Sequence, residues 1–202
     1  MAQSMTQSAA QPAADPLEWP ASPWACSAPE SYLLLHFRKH DPKQALKLGL
    51  LELIARQRLR LVDVARKKAF GRRQKVAALV HPDGSSAGAD PLSPSLDPLL
   101  DVHRSVPAKP LEVWEETAER GPQPAAQVNG VEVSRFATAA VQRFGSMDGY
   151  IAKIVRPTLV DRGWVARASY RKLGFIPSKR WELTHAGTAA QGDFLWRVEY
   201  GN

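Results

Sequence analysis

His36 and His40 stand four residues apart, the spacing at which two imidazoles on one helix face could hold a metal ion. The glutamate that a zinc-hydrolase helix places between such a pair is missing. Asp41 and Pro42 set a helix start directly after His40, so the two rings are not expected on one helix. The remaining histidines, His81, His103 and His185, bring no Cys, Asp or Glu to ligand spacing. Asp97 and Asp101 could pair as carboxylates on one helix face, but acids at a helix start more commonly answer its free N–H groups. No Gly-rich phosphate loop, no G-x-S-x-G elbow and no signature around the single cysteine, Cys26, is present. The reading is a non-enzymatic protein with no cofactor and no metal.

What remains chemically distinctive is positive charge. Arg66, Lys67, Lys68, Arg72, Arg73 and Lys75 crowd one stretch, and Arg167, Arg171, Lys172, Lys179 and Arg180 crowd another. Cations on a projecting ribbon can meet phosphates with little desolvation. Leu173, Phe175 and Ile176 would form an apolar tip within the second of those clusters. The whole chain carries +7, and its first 30 residues hold three acids and no Lys or Arg, so the rest stands at +10. Such a field concentrates phosphate-bearing partners, whether lipid or nucleic acid.

The elements that must position these groups follow from local pattern. Residues 1–29, rich in Ala, Gln, Ser and Pro, read as a disordered leader in which Trp19 and Trp24 are the exceptions. Asp41 and Pro42 open a buried helix through Ile54. Leu59 to Val64 and Gln74 to Val80 form a first hairpin, followed by a loop to Pro94. Short helices are expected over Leu96 to His103 and Pro110 to Glu119, then a linker over 121–130. Helices around Val133 to Phe144 and Met147 to Val160 lead to a second hairpin, Trp164 to Tyr170 with Arg180 to Thr184. Val64, Ala65 and Arg66 resemble Val165, Ala166 and Arg167, while Leu79 and His81 resemble Leu183 and His185, which suggests a duplication. The expected fold class is mainly α with two β-hairpins, in which helix plus basic hairpin, a winged-helix-like unit, occurs twice. Residues 30–202 would be one helical domain with halves at about 30–120 and 131–190.

With 202 residues and 44% apolar content the chain can bury a core without staples. No apolar run approaches the ~20 residues needed to span a bilayer. Residues 1–29 lack the basic and apolar regions of a signal peptide. One cysteine fits a reducing compartment. A cytoplasmic protein is expected, at most peripheral on a membrane.

Four stretches, LGLLELIARQRLRL (Leu48 to Leu61), RKKAFGRRQKVAAL (Arg66 to Leu79), LDPLLDVHRSVPAKPLEVWEETAER (Leu96 to Arg120) and IVRPTLVDRGWVARASYRKLGFIPSKRWELTH (Ile154 to His185), resemble the Golgi phosphoprotein 3 family in their order. The resemblance implies a mainly helical fold with exposed hairpins that recognises an anionic, phosphoinositide-like headgroup. It also implies that the second hairpin dips into an interface or joins subunits into a homo-oligomer. Where the family carries two arginines before the last hairpin, this chain has Gly149 and Ala152, with Lys153 and Arg156 nearby. Leu46 or Lys47 stands at the family's earlier arginine, and the stretch between Leu33 and Leu50 is short for its tryptophan loop. An anionic phospholipid headgroup or a protein partner is therefore expected. The alternative is a tandem winged-helix protein whose partner is DNA, although a helix as apolar as Leu46 to Ile54 offers few groups that read base edges.

Overall fold

Ser27, Glu30 and Pro29 start the fold. The computed structural model describes residues 26–67, 73–82, 91–114, 126–172 and 176–200, with the side chains of 171, 172, 176 and 177 outside that description. Ser27 caps α1 (Ala28–Leu35), and Glu30 reaches back to the cap, the reciprocal arrangement that satisfies two orphan N–H groups. Cys26 and Ser27 therefore belong to the folded body, earlier than the boundary at residue 29 expected from composition. Asp41 caps α2 (Pro42–Ala55) as its type predicts. Gly49 lets α2 lie close to its neighbours, because a Cβ there would meet Leu99 at 2.6 Å and the Tyr150 hydroxyl at 3.1 Å.

Strands β1 (Arg60–Lys67) and β2 (Arg73–Val80) pair antiparallel as expected. They do not stand alone. After α3 (Asp97–Ser105), β3 (Lys109–Val113) and β4 (Gln127–Glu132) pair with each other and with the hairpin, closing a small barrel in the order β1-β2-β4-β3. Val62, Val64, Val76, Ala78 and Val80 share one face of the hairpin, and Gly130 brings β4 against Val80.

Three expectations are corrected here. The segment from Pro110 begins as strand rather than helix, because β3 finds partners on both β1 and β4. Residues 127–130 of the expected linker are strand, and β2 to β4 pairing joins the two presumed halves in one sheet. The residue-by-residue duplication does not survive the register: Leu79 faces Leu61, whereas Leu183 faces Val165. The described residues thus form a mixed helical and stranded protein with two antiparallel sheets, more stranded than a mainly α chain.

Helix α4 (Val133–Phe144) leads through Gly145 into α5 (Met147–Tyr150), a π-helical turn (Ile151–Val155) and α6 (Arg156–Asp161). Strands β5 (Val165–Lys172) and β6 (Ile176–Leu183) form the separate second hairpin. Helix α7 (His185–Tyr200), which periodicity missed, packs Gly187 so tightly on the Trp164 carbonyl that a Cβ would overlap it. Gln191 bonds the Leu34 carbonyl at 2.8 Å, while Leu195, Trp196, Val198 and Tyr200 near the helix end are exposed. Among the described residues no helix is long and apolar enough to cross a membrane.

The core joins Leu33, Leu53, Leu99, Phe136, Tyr150, Leu159 and Trp164 from most helices. At its edge the wholly buried Glu30 meets Arg162 at 3.2 Å and accepts from Ser93 Oγ. The buried Ser95 hydroxyl lies 2.6 Å from that of Ser27, and its carbonyl accepts from Tyr150 at 3.0 Å. Breaking a buried ion pair strands the surviving charge, at roughly 3–5 kcal/mol. Arg162→Met is expected to cost about that much in urea unfolding, and adding Glu30→Gln should restore part of it. Equal stability of Arg162→Met and the parent would show that the serines alone satisfy Glu30.

Candidate functional site

The second hairpin's register sets Arg167 directly opposite Trp181, on the same face as the Ser169 and Lys179 pair. The Arg167 guanidinium carbon lies 5.7 Å from the Trp181 ring centroid. Arg156, at the start of α6 and immediately after the π turn, brings a second guanidinium to the same ring at 5.5 Å. Both distances suit cation–π attraction. Trp181 keeps 37% of its surface exposed, so the ring and its two cations form a partly wet amphipathic patch.

Arg156 is half-buried. Its Nε has no hydrogen-bond partner, and burial pulls its basicity below the ordinary guanidinium value, opposed by Asp148. A guanidinium stays charged even so. No ion pair to a carboxylate is formed by Arg156, Arg167, Lys153 or Lys179 among the described residues, and Lys153 and Lys179 are exposed. Arg180 differs. It lies on the hairpin's other face, paired with Glu182 and set 5.1 Å from the Tyr170 ring.

The first hairpin is electrostatically answered. Arg66 pairs with Glu132, Lys67 with Glu112 at 3.2 Å, Arg73 with the same Glu112 at 3.6 Å, and Lys75 with Asp63 at 3.1 Å. At these four positions of the expected anion-binding ribbon the cations meet carboxylates: Glu112 on β3 and Glu132 on β4 stand against Arg66, Lys67 and Arg73, and Asp63 on β1 itself stands against Lys75. Lys68, Arg72, Leu173 and Phe175 lie outside the described residues, as do the side chains of Arg171, Lys172 and Ile176.

Charge density in the sequence pointed to the second hairpin but missed Trp181, the residue that gathers its cations. The available signal was register: once Lys172 and Ile176 are paired across the turn, Trp181 must face Arg167. At Gly149, one of the two positions compared with the family's arginines, a Cβ would overlap the Phe144 carbonyl oxygen. No side chain fits there, so any cation must come from elsewhere on the helix.

Among the described residues no group of three His, Cys, Asp or Glu could hold a metal ion. Burial and the nearby Glu30 push the Cys26 thiol up to about 12, which keeps it protonated and a poor nucleophile. His81 and His103 meet edge to face with centroids 5.0 Å apart. The buried His103 places Nε2 3.4 Å from the Leu79 carbonyl and leaves Nδ1 without a partner. Burial first, with repulsion from His81 and Arg104, holds its proton affinity below the usual imidazole value, despite the Leu79 bond. The unfolded chain therefore gains a proton that the folded chain resists as pH falls through about 6.5, and stability drops. Melting temperature should fall between about pH 7.5 and 5.5, less steeply in His103→Gln; identical slopes would remove His103 as the cause. In comparisons with known proteins, the chain matches no family model, no curated protein and no solved structure.

Proposed function

We propose that this chain is a non-enzymatic binding protein that attaches peripherally to an anionic phospholipid surface through the face of the second hairpin. The observation that carries this reading is the pair of guanidiniums, Arg156 and Arg167, set against the half-exposed Trp181 and forming no ion pair to a carboxylate among the described residues. A tryptophan ring favours the boundary between headgroups and hydrocarbon, where its apolar body and polar N–H are both accommodated. Cations beside it meet the lipid phosphates, each contributing about 1 kcal/mol near an anionic leaflet. Lys153 and Lys179 add exposed charge nearby in sequence and on the same hairpin face.

The resemblance to the Golgi phosphoprotein 3 family supports the same class of ligand, with the headgroup met by Arg156 and Arg167 rather than by cations at Gly149 and Ala152. DNA binding by paired winged helices is less well supported. The first hairpin, the presumed wing, has Asp63 on its own β1 and Glu112 and Glu132 on the adjoining β3 and β4 set against its cations, and these carboxylates repel phosphates. The helix before it buries Ala45, Leu46, Gly49 and Leu53.

Flotation with phosphatidylcholine vesicles, with and without phosphatidylserine or phosphatidylinositol 4-phosphate, tests the reading. Binding should need the acidic lipid, weaken about fivefold in Arg167→Gln, weaken further in Trp181→Ala, and change little in Arg73→Gln. Equal capture by neutral vesicles would overturn it. So would a mobility shift of duplex DNA by a chain that leaves acidic vesicles behind.

A further inference from the structure

On a different part of the molecule, a groove of about 720 Å³ runs between the C-terminal end of α3 and one face of α4. Arg135, Thr138, Ala139, Gln142 and Arg143 supply one wall, and Ser105, Val106 and Pro107 supply the other. No carboxylate lines it among the described residues. The neighbouring acid, Glu132, is held by Arg66 and also accepts from Ser134. Arg135 donates to the Pro107 carbonyl at 3.4 Å and keeps its other N–H groups, while Arg143 is exposed and forms no ion pair among the described residues. The groove therefore calls for negative charge at two points.

The hydroxyls decide what kind of anion fits. Ser105 Oγ donates its proton to the Val102 carbonyl at 2.7 Å, and Thr138 Oγ1 donates to the Ser134 carbonyl at 3.0 Å. As bonded, each turns its lone pairs toward a ligand, and N–H donors meet them best. A polyphosphate brings none, whereas a peptide backbone brings one at almost every residue. Spacing adds a further condition. Arg135 and Arg143 are eight residues apart, about 12 Å along a helix, close to the ~13 Å between residues i and i+4 of an extended chain. Between them the floor is small and apolar at Val106, Pro107 and Ala139.

We infer that this groove docks an extended acidic segment of a partner protein. Two carboxylates four residues apart meet Arg135 and Arg143, and a small apolar side chain midway rests on Val106 and Ala139. Its backbone N–H groups are accepted by Thr138 and Ser105. This site is independent of the lipid-binding face and stands or falls without it.

The test is fluorescence anisotropy of the full chain with a fluorescein-labelled peptide containing Glu-Thr-Val-Thr-Glu between glycines. The peptide should bind, and replacing both glutamates with glutamine should abolish the signal. Arg143→Gln, on an exposed side chain whose loss leaves the fold intact, should weaken binding about tenfold, and Arg135→Gln similarly. Arg167→Gln should leave peptide affinity unchanged, which separates this site from the hairpin face. The inference is overturned if the peptide does not bind, if affinity survives Arg143→Gln, or if inorganic tripolyphosphate competes more strongly than unlabelled peptide. That last outcome would assign the groove to phosphate.

Discussion

A carboxylate with no exposed surface has only protein to answer it, and Glu30 is in that position. Its partners come from separate parts of the chain: Arg162 from the turn after α6, Ser93 from the segment before α3, and the Ser27 N–H from its own cap at 3.4 Å. Leaving any of them out would strand charge or dipole in a low-dielectric place, a larger penalty than most surface contacts can offset. One anion therefore fixes how α1, α3 and α6 meet. Glu52 repeats the principle nearby, accepting from the Ala28 N–H at 2.6 Å while bonding Arg56. Because β5 begins three residues after Arg162, the buried charge also anchors the origin of the second hairpin.

Further out, the distribution of acids rather than bases decides where positive charge is available. Both hairpins are rich in Arg and Lys, but only the first is built into a barrel whose added strands carry Glu112 and Glu132. Paired at the surface, such ions contribute little to stability, yet they cancel much of each other's field. Among the described residues the second hairpin has no additional strand and, apart from Glu182, no acid on its own strands. Arg156 and Arg167 lean on the Trp181 ring instead, which holds a guanidinium in place without neutralising it.

What could be read in the sequence was local. Asp41 with Pro42 states the start of α2, and two runs of alternating residues around short turns state both hairpins. The signal for α1 was present as Ser27 and Glu30 at capping-box spacing, but eight residues leave too little periodicity to outweigh the Pro-rich stretch before them. Strand β3 opens Lys109 then Pro110, and a proline near an element start reads as easily helical; only pairing with distant strands makes it a strand. The pairing of the first hairpin's cations was not legible, since Arg66 and Glu132 lie 66 residues apart and meet only after the barrel closes. Helix α7 was hidden by Gly187 and Gly192, the first of which is there for close contact rather than for a turn.

The cation that completes the hairpin site depends on an irregularity in the helix before it. A π turn carries one more residue than a regular turn, which rotates everything beyond it by about 100° relative to an uninterrupted helix. Arg156 is the first residue after that turn, and its rotation brings the guanidinium over Trp181. Upstream, Gly149 is locked against the Phe144 carbonyl, so the helix cannot slide to recover regular bonding without a clash. Tight packing at one end and an extra residue in the middle together fix the direction in which Arg156 points. Such π turns weaken the backbone bonding of a helix and persist where the surroundings over-determine them. Here the surroundings are the buried Tyr150, Ile151 and Val155 on one side and the aromatic face of the hairpin on the other.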